Sequence, residues 1–208
     1  MTLVKICGIG DRESALTAAD AGADLVGFHF CESSRRIDPA LAREIVDALD
    51  AHGRRPHIVG VFIDPDEAFV GRIVREVGLD LVQLHGREAP GFRAPKPIVK
   101  ALKVRDTGID AEGLWPDPVL LDSWSADGRG GTGRTWRWDL AGELARRRRV
   151  ILAGGLTPGN VAGAVRALRP YGVDVSSGVE AGRPGHKDPQ RVRDFVDAVR
   201  SVDATVPL

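Results

Sequence analysis

The chain is poor in cysteine and has no long apolar run. Its 208 residues include only two cysteines, Cys7 and Cys31, so no disulfide framework supports the fold. No apolar run approaches the roughly 20 residues that a membrane-spanning helix needs. The first apolar segment begins at Leu3, which leaves no space for a signal peptide. These absences predict a cytoplasmic protein without a membrane partner, in which the cysteines serve chemistry or packing.

An excess of charge of either sign is also missing. Lysine and arginine together number 29, as do aspartate and glutamate. A neutral chain has no electrostatic attraction for a polyanion, so we expect no nucleic-acid partner. The composition shows no break along the chain, and the length suffices for one substantial core. We therefore predict a single catalytic domain over residues 1–208.

Short runs of Val, Ile and Leu alternate with amphipathic segments, a pattern typical of βα units on a parallel sheet. The predicted strands are residues 3–7, 24–30, 57–63, 80–85, 97–102, 118–122, 149–154 and 173–178. The predicted helices are residues 11–21, 40–52, 66–77, 87–93, 109–114, 139–147, 159–169 and 188–201. Eight units of about 26 residues predict a (β/α)8 TIM barrel of the α/β class, near its lower size limit. A doubly wound open sheet is the alternative, but the first turn lacks its glycine fingerprint.

A barrel binds its ligand at the carboxyl ends of its strands, and phosphate favours the loops after strands 7 and 8. The first of these loops contains Gly154 and Gly155, and the second contains Ser177 and Gly178. Glycines let backbone amides approach an anion closely. Each loop alone also fits an ordinary βα turn, but the pair on adjacent strands favours a phosphate site.

A third glycine cluster, residues 127–133, follows strand 6 and includes Gly131 and Thr132. Such a loop can order over a ligand and exclude water. We interpret it as a substrate-contacting lid, and a flexible surface linker is the alternative.

Two reactive side chains end strands and are predicted to meet at the mouth of the barrel. Cys7 ends strand 1 and Asp122 ends strand 6. A thiolate is a competent base, and a carboxylic acid shielded in a cleft can donate a proton near neutrality. Considered singly, Cys7 also fits a small buried apolar residue and Asp122 fits a turn cap. Their shared position favours a general base at Cys7 and a general acid at Asp122.

Other polar residues lie near the same strand ends. Lys5, His85 and Asp174 are expected to point inward, where a cation such as Lys5 lowers a thiol pKa. His85 fits a structural hydrogen bond equally well. Arg35 and Arg36 follow strand 2, where a guanidinium can clamp a carboxylate through two parallel hydrogen bonds. The alternative is a solvated pair before the helix.

Seven segments, in order and each at the end of a strand, resemble the phosphoribosylanthranilate isomerase family. They are KICG at 5–8, SSRRIDP at 33–39, VQLHG at 82–86, LLDS at 120–123, GGTG at 130–133, AGGLTP at 153–158 and DVSSGVE at 174–180. The resemblance implies a (β/α)8 enzyme of tryptophan biosynthesis without a cofactor or a metal. Its substrate is a phosphosugar carrying anthranilate, which an Amadori rearrangement converts to 1-(2-carboxyphenylamino)-1-deoxyribulose 5-phosphate.

The resemblance also implies residue roles. Asp122 protonates the ribose ring oxygen, Cys7 removes the C2' proton, and an arginine of the S-x-R motif binds the anthranilate carboxylate. The loop after strand 2 is one residue shorter than usual. Counting back from Pro39 makes Arg35 the match and counting forward from Phe30 makes it Arg36, and we prefer Arg35.

Two other functions compete with this one. The related isomerase of histidine biosynthesis, or a dual-substrate version, typically has an aspartate at the end of strand 1, so Cys7 argues against it. A barrel that binds phosphate ligands without catalysis is motivated by departures from the family pattern near residues 32–36 and at 136–138, where the chain reads WRW. The assembly is expected to be a monomer or a homodimer.

Overall fold

In the computed structural model, which describes residues 1–105, 108–109, 114–123 and 138–205, eight parallel strands close into a barrel. The strands are β1 Leu3–Cys7, β2 Leu25–His29, β3 His57–Phe62, β4 Leu81–Leu84, β5 Ile98–Arg105, β6 Val119–Ser123, β7 Val150–Leu152 and β8 Gly172–Val175. Each pairs in parallel with its neighbours in sequence, β1 pairs with β8, and β4 pairs with β5. The predicted (β/α)8 TIM barrel is therefore confirmed.

In the described part of the chain, six α-helices connect or follow the strands. They are α1 Arg12–Ala21, α2 Pro39–His52, α3 Glu67–Ile73, α4 Trp138–Ala145, α5 Val161–Leu168 and α6 Pro189–Thr205. A π-helical turn, Val74–Gly78, extends α3, and a 3-10 turn, Ser177–Val179, follows β8. The carboxylates of Asp11, Asp38 and Asp66 cap α1, α2 and α3 by accepting from first-turn amides.

The helix predicted at residues 87–93 is wrong. This segment is turn and irregular chain, and it contains Pro90 and Gly91, which both disfavour a helix interior. The Glu88 carboxylate is instead buried, where it pairs with Lys100 Nζ at 2.5 Å and accepts the Gly86 amide at 3.0 Å. A buried ion pair thus occupies the place expected for the fourth helix.

The fifth predicted helix, at 109–114, is also not supported at its start. Ile109 belongs to a short strand, Gly108–Ile109, which pairs antiparallel with the end of β5. Residues 110–113 lie outside the described part of the chain, and the predicted lid, with Gly131 and Thr132, lies outside it as well.

Alternation along the strands separates two apolar layers. Side chains such as Val4, Ile6 and Phe28 face outward and are packed in the large core that includes helix residues. A smaller cluster fills the inside of the barrel: Val99, Ala101, Leu120, Ile151 and Ala153. Toward the carboxyl ends of the strands the inward positions become polar, which places chemistry at one mouth of the barrel. No described helix is long and apolar enough to cross a membrane.

Candidate active site

A cleft of about 310 Å³ opens at the carboxyl ends of the strands. Most of the residues predicted for the site line it: Cys7, Arg35, His85, Asp122, Gly154, Gly155, Asp174 and Ser177. Gly178 lies behind this wall, and Arg36 faces elsewhere. The cleft brings the proposed acid, base, carboxylate clamp and phosphate loops into one space.

Cys7 lies at the base of this cleft and is only 4% exposed. Its Sγ is 3.4 Å from Nε2 of His29 on the adjacent strand. Burial, together with the Asp174 carboxylate, raises the pKa of the Cys7 thiol, while Lys5 and Lys187 act in the opposite direction. Space for the thiol comes from Gly27, because a Cβ there would lie 2.9 Å from Sγ. Cys7 is therefore a packed thiol whose ionisation depends on the charges around it.

Lys5 and Asp174 form a buried ion pair beneath the thiol. Lys5 Nζ lies 2.9 Å from Asp174 Oδ1, and the two side chains are 2% and 9% exposed. Burial alone would lower the pKa of Lys5, but Asp174 and Cys7 hold it above its usual range. Lys5 is thus a permanent cation, and the prediction that it points inward beside the thiol is confirmed.

Asp122 lies in the same cleft, supported by a histidine. His85 Nε2 is 3.1 Å from Asp122 Oδ2, and His85 Nδ1 is 3.3 Å from the side-chain amide nitrogen of Gln83. The Asp122 side chain remains 34% exposed, so one face is open to a ligand. An imidazole nitrogen can donate to a carboxylate or accept from a carboxyl group. Because the amide nitrogen of Gln83 can only donate to Nδ1, Nε2 of His85 carries the ring hydrogen and donates it to the Asp122 carboxylate.

Arg35 lines the cleft, and Glu180 fixes its guanidinium. Arg35 Nε and Nη2 donate to the two carboxylate oxygens of Glu180 at 2.6 and 2.8 Å. Glu180 also accepts from the Gly185 amide and from Lys187 Nζ. Burial alone would raise the pKa of Glu180, but the Arg35 hydrogen bonds and the Gly185 amide bring it to about 2. Glu180 is thus an ionised anchor for Arg35.

Arg36 is exposed and lines a separate surface hollow beside Phe69, Arg72 and Glu76. Its backbone amide donates a hydrogen bond to the carbonyl of Ser33. Its side chain lies away from the cleft residues. Of the two arginines, Arg35 is therefore the one available to a ligand in the cleft.

The loops after β7 and β8 touch through their backbones. A Cβ on Gly178 would lie 2.0 Å from the carbonyl oxygen of Leu156, so only glycine allows this approach. Gly154 and Gly155 have positive φ values of 87° and 66°. Among the described residues, the amides of Gly154, Gly155, Ser177 and Gly178 have no backbone acceptor. The Ser176 hydroxyl, also in the cleft, is buried and without a described partner.

Unpaired backbone donors at two adjacent strand ends are an arrangement that suits an anion. By contrast, the described residues contain no group of three or more His, Cys, Asp or Glu side chains that could hold a metal ion.

Several cleft residues escaped the sequence reasoning. His29 and Gln83 could have been found, because each lies two positions from an inward residue, Gly27 and His85 respectively, on a strand with period two. Ser176 and Glu180 stand in a segment recognised as a phosphate loop. Lys187 carried no signal, since it reaches Glu180 from the connection that precedes α6.

The comparisons with known proteins agree with this geometry. A family model described as N-(5'phosphoribosyl)anthranilate (PRA) isomerase matches residues 4–198. The chain belongs to the phosphoribosylanthranilate isomerase family. A family member from Pelobacter propionicus, named N-(5'-phosphoribosyl)anthranilate isomerase, is 48% identical over 203 residues, covering 94% of each chain. The chain is thus related over nearly its whole length to isomerases.

Solved structures of phosphoribosylanthranilate isomerases share the fold. The Thermotoga maritima enzyme superimposes with a TM-score of 0.86 at 36% identity, covering 97% of this chain and 100% of that one. Another family structure, in complex with reduced 1-(o-carboxyphenylamino)-1-deoxyribulose 5-phosphate, has a TM-score of 0.80 at 34% identity, with coverage of 97% and 100%. Membership in this isomerase family, predicted from seven short segments, is confirmed.

Proposed function

We propose that this enzyme is the N-(5'-phosphoribosyl)anthranilate isomerase of tryptophan biosynthesis, with Asp122 as general acid and Cys7 as general base. The observation that carries the proposal is one cleft lined by a thiol, a supported carboxyl group, a fixed guanidinium and a set of unpaired amides. These groups match the four chemical features of the substrate: an acidic C–H bond, a ring oxygen, a carboxylate and a phosphate.

The phosphate occupies the loops after β7 and β8. The amides of Gly154, Gly155, Ser177 and Gly178 supply donors without described backbone acceptors, and Ser176 adds a hydroxyl. Backbone amides bind a phosphate without the flexibility of long cationic side chains, so the phosphate end of the substrate anchors the sugar.

The anthranilate carboxylate pairs with Arg35. Glu180 occupies Nε and one hydrogen of Nη2, which leaves Nη1 and the second hydrogen of Nη2 as a planar fork toward the cleft. A guanidinium fork binds a carboxylate through two parallel hydrogen bonds. Because Glu180 holds the other side of the guanidinium, little side-chain entropy is lost when the substrate binds.

Asp122 and Cys7 then each transfer one proton, and a tautomerisation completes the reaction. Asp122 gives its proton to the ribose ring oxygen as the C1'–O bond breaks, and the anthranilate nitrogen lone pair forms the C1'=N bond of a Schiff base. The Cys7 thiolate next removes the C2' proton, and the electrons of that C–H bond form a C1'–C2' double bond while neutralising the nitrogen. The resulting enol amine tautomerises to the ketone. Its enol O–H loses a proton and C1' gains one.

A turnover assay that offers the anthranilate substrate and the aminoimidazole substrate of histidine biosynthesis in parallel tests the proposal. We expect turnover of the anthranilate substrate only. Turnover of both substrates would replace the proposal with a dual-substrate enzyme. Binding of the anthranilate substrate without turnover would replace it with a binding barrel.

Variants of the two strand-end residues test the assigned roles. General acid–base catalysis contributes about 10²- to 10⁴-fold. We therefore expect Cys7→Ser and Asp122→Asn each to lower kcat by at least about 10²-fold with an unchanged circular dichroism spectrum. Near-wild-type turnover in either variant would remove that residue from its role. A monomer or a homodimer remains our prediction for the assembly, which sedimentation can decide.

A further inference from the structure

A buried thiol such as Cys7 is a poor base unless something favours its ionised form. Only the thiolate can remove a proton, and both burial and Asp174 raise the pKa of Cys7. Lys5 and Lys187 oppose this shift as cations, but neither can accept a proton from the thiol. The proton of Cys7 therefore needs an acceptor within hydrogen-bond reach.

His29 is placed to be that acceptor. Strand β2 pairs with β1 so that Cys7 lies opposite Gly27, and His29 follows on the same face toward the mouth. His29 Nε2 is 3.4 Å from Cys7 Sγ, and His29 Nδ1 is 3.1 Å from Ser33 Oγ. Ser33 is partly exposed and lines the cleft. An unbroken path of exchangeable hydrogens thus leads from the thiol to the open cleft.

We propose that His29 is a positioning residue that passes the Cys7 proton to Ser33 by exchanging tautomers and then donates a hydrogen bond to the thiolate. This inference rests on the proposed role of Cys7 as general base.

The step balances without a charged imidazole. The S–H proton moves to Nε2 while the Nδ1 proton moves to Ser33 Oγ, and the hydroxyl proton that Ser33 held leaves to water in the cleft. The products are a thiolate, a neutral histidine protonated at Nε2, a serine hydroxyl that donates to Nδ1, and one proton in solvent. The new Nε2–H then points at the sulfur that lost the proton.

Tautomer exchange is favoured over an imidazolium because the surroundings of His29 exclude positive charge. Burial, with Lys5 and Arg35 next in effect, lowers the pKa of His29 to about 3. The titratable and charged groups that act on Cys7 and His29 come from every side of the cleft: Lys5 on β1, Cys31 and Arg35 after β2, His85 after β4, Asp174 on β8 and Lys187 before α6. Three of these groups are cations, and they surround the sulfur atom. Because His29 stays neutral, the thiolate is the only new charge on the protein.

The rate of alkylation of Cys7 by iodoacetamide, followed against pH, measures the thiolate directly. All variants are made in a Cys31→Ser background, so that Cys7 is the single thiol followed. A hydrogen bond to a charged group contributes about 1.5–3 kcal/mol, so we expect His29→Val to raise the alkylation midpoint by about one pH unit or more.

Three further variants bracket that result. His29→Gln keeps an N–H donor but cannot exchange tautomers, so its midpoint should fall between those of the parent and His29→Val. Ser33→Ala removes the partner of Nδ1 and should raise the midpoint by a smaller amount. His57→Val alters an exposed histidine at the opposite end of the neighbouring strand and should change nothing.

An alkylation midpoint that stays at the parent value in His29→Val overturns the inference. If that variant does not fold, an unchanged midpoint in Ser33→Ala overturns it instead. The pH profile of kcat adds a second readout: the limb governed by the base should move upward with the midpoint, whereas a merely structural role lowers kcat by one factor at every pH. The alkylation midpoint is measured without substrate, so it tests the role of His29 alone. Failure of the proposed function would show separately, as absent turnover in the parent enzyme.

Discussion

Arg35 donates two hydrogen bonds to Glu180, at 2.6 and 2.8 Å, and so ties the loop after β2 to the loop after β8. Arg35 is also one of the residues that line the cleft. Gly8 makes room for it, since a Cβ at that position would lie 2.5 Å from Cδ of Arg35. The guanidinium proposed to bind the substrate carboxylate is therefore held in place by the protein itself.

Removal of the Arg35 side chain should weaken binding of the anthranilate substrate. Arg35→Ala removes a hydrogen-bonded cation, and such bonds contribute about 1.5–3 kcal/mol, so kcat/KM should fall by about 10- to 100-fold, mainly through KM. Arg36→Ala is the matched control because its side chain lies outside the cleft, and it should keep kcat/KM within about twofold. Steady-state kinetics on the anthranilate substrate decide the point, and the reverse pattern would transfer the carboxylate to Arg36.

Glu180→Gln should remove a pH-dependent part of the stability. The folded pKa of Glu180 is about 2 against an ordinary 4.5, so its ionised form is favoured by folding. That contribution is complete above about pH 5 and is lost as the pH falls toward 2. The parent should exceed the variant by at most about 3 kcal/mol at neutral pH, and the difference should shrink at pH 3. Urea unfolding at both pH values measures it, and an equal difference at the two would contradict the assignment.

Gly178→Ala should separate the two phosphate loops. Its new Cβ would lie 2.0 Å from the carbonyl oxygen of Leu156, so the two backbones must move apart. The amide donors of the two loops would then no longer point at the same phosphate. We expect KM to rise at least about tenfold, since loss of one hydrogen bond to a charged group contributes about 1.5–3 kcal/mol. Inhibition by inorganic phosphate should weaken in parallel.

Gly159→Ala is the control for this change. It lies in the same loop after β7, and its Cβ would meet only the Thr157 hydroxyl, at 3.8 Å. Its KM should match that of the parent. A normal KM and normal phosphate inhibition in Gly178→Ala would place the phosphate elsewhere.

Asp174→Ala should be costly because it leaves Lys5 charged and buried. Breaking a buried pair by removal of one partner typically costs about 3–5 kcal/mol. Asp47→Ala breaks the ion pair with Arg43, whose two side chains are 39% and 58% exposed, and should cost far less because water screens this pair. Urea unfolding compares the two variants, and equal losses would mean that Lys5 finds another partner or loses its charge.

Much of this protein was predictable from local patterns. The eight strands follow from alternating apolar runs, and the presence of Cys7, Asp122 and the glycine loops after β7 and β8 at one cleft follows from their places at strand ends. The helix predicted at 87–93 failed because Pro90 and Gly91 disfavour a helix interior, and Glu88 pairs instead with Lys100. That partner lies 12 residues away, beyond the reach of a helical pattern.

The sequence by itself determined the barrel, the strand that each reactive residue ends, and the family, because periodicity and short motifs are properties of neighbouring residues. Only the tertiary structure decided which arginine enters the cleft, because Arg35 and Arg36 are adjacent in sequence. They differ in that Arg35 pairs with Glu180, which lies 145 residues away along the chain. The register of β1 against β2 also brings His29 to the Cys7 thiol, and the connection between β8 and α6 folds back to bring Lys187 to Glu180. Contacts of this kind depend on strand register and on loops that return over the mouth, and no local pattern of residues records them.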